Sequence, residues 1–173
     1  MVMTERTSRR FSRTEESFRY KIAYTAILFL SLLWCSLFIG VPFLAEGSPA
    51  SRRISAMITL FFSPVCHQAP DRSFHLRGYP MAVCARCTGI YVGFLVGILI
   101  HPLFRRLKRG FHPPRWVLGA GILPTGMEIL LSRGGVAELD LFFRSLTGLI
   151  LGTVVAFYVI PAVFDLVKSR QIK

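Results

Sequence analysis

The chain has 173 residues, of which 53% are apolar, and a formal net charge of +12. That length suits one domain. The apolar residues fall in long runs rather than dispersed, which excludes an ordinary soluble basic protein and points to a membrane protein. The excess of Lys and Arg therefore does not imply nucleic-acid binding; topology and attraction to anionic lipid account for it.

Residues 1–21 form a basic segment carrying Arg6, Arg9, Arg10, Arg13, Arg19 and Lys21. A membrane domain over 22–164 follows, with four apolar segments. The first, about Ile22 to Ala45, carries no charge. Its length exceeds the apolar core of a signal peptide and no A-x-A site follows, so it reads as an uncleaved anchor. After a turn at "GSP", the stretch "RRISAMITLFFSPV" places Ile54, Met57, Ile58, Phe61 and Phe62 at spacings of three and four. This predicts a short amphipathic helix on the membrane surface or a packed lid, ended by Pro64.

Next comes "CHQAPDRSFHLRGYPMAVCARCTGIYVG". It holds three of the four cysteines, Cys66, Cys84 and Cys87, with His67 beside the first. Turn formers punctuate it until the second apolar segment, about Thr88 to Phe104, for which Thr88 is a candidate N-cap. Gly89, Gly93 and Gly97 share one face of that segment. Small residues at this spacing let two helix backbones approach closely in lipid. The face serves either a tight internal helix pair or a second subunit.

The third segment, about Trp116 to Leu131, contains Glu128. The fourth, about Leu141 to Phe164, contains Arg144 and a second small-residue pair, Gly148 and Gly152. Residues 165–173 form a basic tail. The N-terminal segment, the "RRLKRGFHPPR" linker and the tail together carry fourteen basic residues, against seven elsewhere. The positive-inside rule then puts both termini in the cytoplasm, with four spans in the inner (cytoplasmic) membrane and the loop 46–87 on the outer face. The expected fold is all-α: four transmembrane helices with an outer amphipathic helix and a Cys/His loop.

An outer loop lies in a compartment where disulfides persist, and three readings of its cysteines stay open. The spacing C-x₂-C supplies two zinc ligands from one turn, and Cys66 and His67 complete a Cys₃His set with Cys84 and Cys87. Thiolates and imidazole suit zinc or copper rather than magnesium or calcium. Alternatively, C-x₂-C at a helix N-terminus beside Arg86 favours thiolate chemistry, with Cys66 as resolving thiol. The third reading is a disulfide that pins the loop for a partner or assembly role; it leaves one cysteine over. Cys35 reads as an apolar filler within the first span.

Ionisable groups inside a span are costly and usually face a partner or a cavity. Glu128–Arg144 is the expected pair, either as a structural salt bridge or as a polar site beneath the loop. Arg72 and Arg86 add positive charge on the same side, suited to an anionic group such as a lipid phosphate.

The strings "CHQ", "RSF" and "VCARCTGIYVG" resemble the signature of the domain-of-unknown-function 2085 family of small bacterial and archaeal membrane proteins. The resemblance extends more weakly through Pro124 and "RSLTGLILG", and covers roughly Ile22 to Pro161. It implies a multi-span membrane protein and no particular reaction. Relatives are expected to carry Asp-Gly at Glu128-Ile129, and a Ser/Thr-Asn stretch before the arginine where this chain has "ELDLFF".

Overall fold

The computed structural model describes residues 2–107, 113–134 and 140–169, with side chains over 18–103, 113–132 and 140–166 and at Gly134. Five α-helices carry most of it: α1 (Val2–Glu46), α2 (Pro49–Phe62), α3 (Ala85–Leu107), α4 (Arg115–Arg133) and α5 (Leu141–Ser169). Three stretches are long and apolar enough to cross a membrane: Phe18–Glu46, Ala85–Leu103 and Leu141–Leu166. The expected third span, α4, is a helix of 19 residues that does not meet the same standard of length and apolarity.

The central contact is between α3 and α5. A Cβ on Gly89 would strike the Ser145 carbonyl; one on Gly93 would strike that of Leu149; one on Gly97 would press on Ala156 and Thr153. From the other side, Gly148 meets the Arg86 carbonyl and Gly152 that of Ile90. The two glycine ridges therefore interlock, and Thr153 Oγ1 donates to the Gly93 carbonyl at 3.0 Å across the seam. Of the two uses expected for the Gly89/Gly93/Gly97 face, the internal pair is the one found. α5 fills the face, which leaves no room on it for a second copy of the chain.

The order of these contacts fixes helix direction. Residue numbers rise together along the α3–α5 seam, so those helices run parallel. α4 runs against α5: Tyr158 donates to the Pro114 carbonyl, Gly121 faces Val154, and Thr125 donates to the Thr147 carbonyl. α1 runs against α3, since Tyr24 bonds the Ile98 carbonyl while Trp34 and Phe38 pack on Tyr91. Two apolar clusters follow. One, around Ile98, Ala156 and Ile160, lies toward the end where α1 begins. The other, around Cys35, Phe38, Phe62, Cys66 and Val83, lies toward the start of α3.

The segment between α1 and α3 caps this second cluster. The Ser48 hydroxyl accepts from the Ser51 N–H and opens α2, with Pro49 at its first position. α2 buries Ser55 and Phe62 and leaves Ile54, Met57, Leu60 and Phe61 exposed. α2 is therefore amphipathic, as the spacing of its apolar residues predicts. A 3₁₀ turn, Pro70–Arg72, is followed by two short antiparallel strands, β1 (His75–Leu76) and β2 (Tyr79–Pro80). Both turn residues, Arg77 and Gly78, have positive φ, at 53° and 82°, as a two-residue hairpin of this hand requires. Arg77 anchors the hairpin to α1 by donating to Glu46 at 2.7 Å and lying over the Phe43 ring.

Candidate metal centre

α3 begins at Ala85, three residues ahead of the expected cap Thr88. The Cys84 carbonyl accepts from the Thr88 N–H at 2.9 Å, so C-x₂-C itself forms the first helical turn. Cys84 and Cys87 thus project from one rigid turn. Cys66 arrives from the far end of the loop. The Val65 and Cys66 N–H groups both donate to the Phe62 carbonyl, which curls the chain over the end of α2. Gln68, with φ 51°, then reaches back: its side-chain amide donates to the carbonyls of Thr59 at 2.6 Å and Ala82 at 2.8 Å. This clamp ties α2 to the strand leading into α3 and aims Cys66 at the C-x₂-C turn. Gln68 closes the "CHQ" string that carries the family resemblance, but its spacing from Cys66 does not reveal this role.

The result is a group of three sulfurs, Cys66, Cys84 and Cys87, all within 4.8 Å of one another. None is in a disulfide. Two thiolates on a tetrahedral zinc, each about 2.3 Å from it, stand about 3.8 Å apart, so the spacing fits a shared metal. The Cys84 N–H donates to Cys66 Sγ at 3.2 Å. Hydrogen bonds from the Cys84 thiol, and then from the Cys87 thiol, hold the Cys66 thiol well below the ordinary thiol range, against the opposing effect of burial.

The fold brings together three of the four expected ligands. His67 is exposed and stands outside the group. His75 is also apart, with Nδ1 at 3.0 Å from the Ser73 carbonyl. Cys35 is buried in the apolar cluster, as expected of a filler.

The polar residues resolve differently. Glu128, 2% exposed, is gripped by Arg86: Nε donates to Oε2 and Nη2 to Oε1, both at 2.6 Å. Arg144 is the more distant partner, with Nη1 at 3.6 Å from Oε1, and its Nη2 donates to Ser132 at 3.0 Å. The expected Glu128–Arg144 pair exists, but the bidentate pair is with Arg86, because α3 and α5 approach closely enough for both guanidinium groups to meet one carboxylate of α4. Arg72 takes no part in this cluster; it is exposed and pairs with Asp71 at 3.4 Å. Arg86 lies between Cys84 and Cys87 in sequence, so the ion cluster and the thiols share the first turn of α3.

The profile of a family described as "Predicted membrane protein (DUF2085)" matches residues 66–158, more than half of the chain. The chain belongs to that family. The match begins at Cys66, so it takes in all three sulfurs of the DUF2085 centre together with Arg86, Glu128 and Arg144. An uncharacterized protein of Methanocaldococcus jannaschii is 36% identical over 151 residues, which cover 85% of this chain and 97% of the relative. A second uncharacterized protein, from Methanothermobacter thermautotrophicus, is 46% identical over 48 residues, 25% of this chain and 43% of that one. No solved structure matches this DUF2085 chain.

Proposed function

We propose that the protein is a four-span membrane protein whose outer face carries a thiolate centre for one divalent transition metal, zinc before copper. The observation that carries this reading is the gathering of three unbonded sulfurs within 4.8 Å, one of them delivered from 18 residues away. A redox pair needs two sulfurs and a staple needs two; a third in mutual contact is what a metal uses. Three thiolates with Zn²⁺ carry one net negative charge, whereas with Cu⁺ they carry two. Arg86, beside the thiols, already offsets the Glu128 carboxylate, so the smaller residual negative charge costs less there, which argues for the divalent ion. His67 stands next to Cys66 and would need to swing inward to take the fourth position. Otherwise that position belongs to water or an external ligand, as in sites that exchange ligands.

The four-span reading is supported by helix direction. α3 and α5 run parallel, so the chain must return between them, and α4 is the element that returns. Its 19 residues rise about 28 Å, close to the roughly 30 Å of a hydrocarbon core. Its buried charge, Glu128, is neutralised by Arg86 and therefore costs less in lipid than an isolated carboxylate. Four crossings put both termini on one side, and the fourteen basic residues of the N-terminal segment, the α3–α4 linker and the tail mark that side as cytoplasmic.

One preparation in mild detergent tests the centre. Bound metal is measured by mass spectrometry, and free thiols by alkylation before and after chelation. One zinc per chain, with three thiols that become reactive only after chelation, is expected. No metal together with a Cys84–Cys87 disulfide opened by mild reductant would instead make the protein a membrane thiol oxidoreductase. A stable disulfide to Cys66 would make the loop a pinned structural element.

A further inference from the structure

α2 does not lie across the end of the bundle; it runs back along α1. Ser55 Oγ donates to the Val41 carbonyl at 3.3 Å, and Phe62 meets the Trp34 ring edge-on, with centroids 4.9 Å apart. Ser55 to Phe62 and Val41 to Trp34 are equal steps along the chain, about 10 Å of helix each, so α2 descends as steeply as α1 climbs. The depth follows from α3. Its apolar stretch, Ala85–Leu103, rises about 28 Å over 19 residues, close to the roughly 30 Å of a hydrocarbon core, which puts Ala85 at one edge of the core. Trp34 also packs on Tyr91, which stands about 9 Å of helix inside that edge. Phe61 and Phe62, both against Trp34, lie at the same depth. Ser55 then stands at the edge itself, and the exposed Arg52 and Arg53 stand just beyond it, at the level of lipid headgroups.

The polar groups at this end of α2 name the medium. A helix that ends in water leaves its last carbonyls to the solvent. Here the Thr59 carbonyl accepts from the Gln68 side chain at 2.6 Å, that of Leu60 from the Ser63 N–H at 3.1 Å, and that of Phe62 from the N–H groups of Val65 and Cys66. The hydroxyls of Ser55, Thr59 and Ser63 also donate to backbone carbonyls. Hydrocarbon demands such internal pairing because it offers no partner of its own. Met57, Leu60 and Phe61 meanwhile are 68, 69 and 58% exposed, as open as Phe29 and Leu30 of the crossing helix α1, at 66 and 61%. We propose that α2 is a re-entrant helix whose second half is immersed in the acyl chains of the leaflet it enters, with Arg52 and Arg53 on lipid phosphates. Apolar spacing alone suits a helix lying flat on the surface equally well; the antiparallel contacts with α1 and the paired terminal carbonyls select the steep one. The turn that delivers Cys66 then starts inside the leaflet. This inference rests on the chain being a membrane protein and not on the metal reading.

The test uses the full chain in vesicles of phosphatidylcholine and phosphatidylglycerol. An apolar diazirine dissolved in the bilayer and hydroxyl radicals generated in the water are applied in parallel, and the labelled residues are read by mass spectrometry. Leu30 reports the lipid side and Tyr79, 41% exposed in the hairpin, the aqueous side. Carbene insertion at Leu60 and Phe61 is expected within about twofold of that at Leu30, and at least about threefold above that at Ile54, because polarity changes steeply at the hydrocarbon edge. Equal insertion from Ile54 through Phe61 would mean a helix lying flat on the surface. Oxidation of Phe61 to the level of Tyr79 would put this end of α2 in water. Protection of Leu60 and Phe61 from both reagents would mean that a partner protein or a second copy of the chain covers them. Each of these three results would overturn the proposal.

Discussion

Replacing Glu128 by Leu removes the carboxylate that two guanidinium groups share. Arg86 makes two hydrogen bonds to it at 2.6 Å, and charge-assisted bonds contribute about 1.5–3 kcal/mol each, so the gross loss is about 3–6 kcal/mol. Arg144 at 3.6 Å adds a weaker attraction and is left buried beside Arg86 with the shared negative charge gone. Breaking a buried pair from one side generally costs about 3–5 kcal/mol, because the surviving charge stays desolvated. An unfolded reference state within the membrane finds substitute partners and draws the value toward the lower end. The expected loss is therefore about 3 kcal/mol for Glu128→Leu. The double variant Arg86→Leu/Glu128→Leu should lose at least about 2 kcal/mol less than the sum of its single variants, since no orphan charge remains at Arg86. Reversible unfolding in mixed micelles with rising dodecyl sulfate measures both. A loss under about 1 kcal/mol for Glu128→Leu, or a strictly additive double variant, would show that the carboxylate does not hold α4 to α3.

Other outcomes follow from the same contacts. Gly93→Val should separate α3 from α5, because the Leu149 carbonyl it would strike is backbone and cannot swing away; weaker expression and early thermal unfolding, with Gly119→Val much milder, are the signature to look for. Cys84→Ser or Cys66→Ser should cut bound zinc to below a tenth of the wild-type ratio, while Cys35→Ser leaves it intact. Metal binding should weaken as pH falls, since protons compete for thiolates. The depressed Cys66 thiol stays ionised in the folded metal-free protein where an unfolded thiol would hold its proton, so zinc uptake near neutral pH should release fewer than three protons, a number calorimetry in buffers of differing ionisation enthalpy can read. Alkaline phosphatase fused after Gly134 should be active outside the membrane and fused after Leu107 inactive; activity at Leu107 would reverse the orientation.

Local spacing made much of this architecture readable. The i, i+4 glycines declared a close-packed face, C-x₂-C declared two sulfurs on one turn, and the odd cysteine declared that a third had to go somewhere. The apolar periodicity of 54–62 likewise matched α2. What spacing does not carry is which distant element meets which. The sequence suggests Arg144 for Glu128 and offers Arg86 only as positive charge for an anionic group; that Arg86 is the bidentate partner depends on how closely α3 and α5 approach, which follows from two glycine ridges far apart in the chain, Gly89 to Gly97 and Gly148 to Gly152. The hairpin at 75–80 is set by positive φ at Arg77, a residue type that seldom marks such a turn. His67 illustrates the limit from the other side. Adjacency to Cys66 in sequence says little about direction in space, because Gln68 turns the chain and is itself held on two backbone carbonyls.

Arg86 is where these threads meet. Its carbonyl is the atom against which Gly148 packs, so its backbone is fixed by the helix seam. Its side chain is fixed by the Glu128 carboxylate, so α4 is tied to the same residue. Cys84 and Cys87 stand two residues before and one after it on a single turn. A change in the α3–α5 distance would therefore move the two sulfurs and the ion pair together. Conversely, a metal that holds Cys66 to that turn clamps α2 and its exposed apolar side onto the bundle. The segment between α2 and α3 has little core of its own: a pair of two-residue strands, one 3₁₀ turn and the Gln68 clamp. With the metal bound, its position is set by the transmembrane helices; with the metal removed, Cys66 is held chiefly by apolar contacts with Phe38, Phe62 and Val83. Chelation should thus loosen residues 63–83 selectively, seen as faster amide exchange there and unchanged exchange along α3 and α5. Equal loosening of both would mean that the glycine seam, rather than depending on itself alone, also relies on the metal.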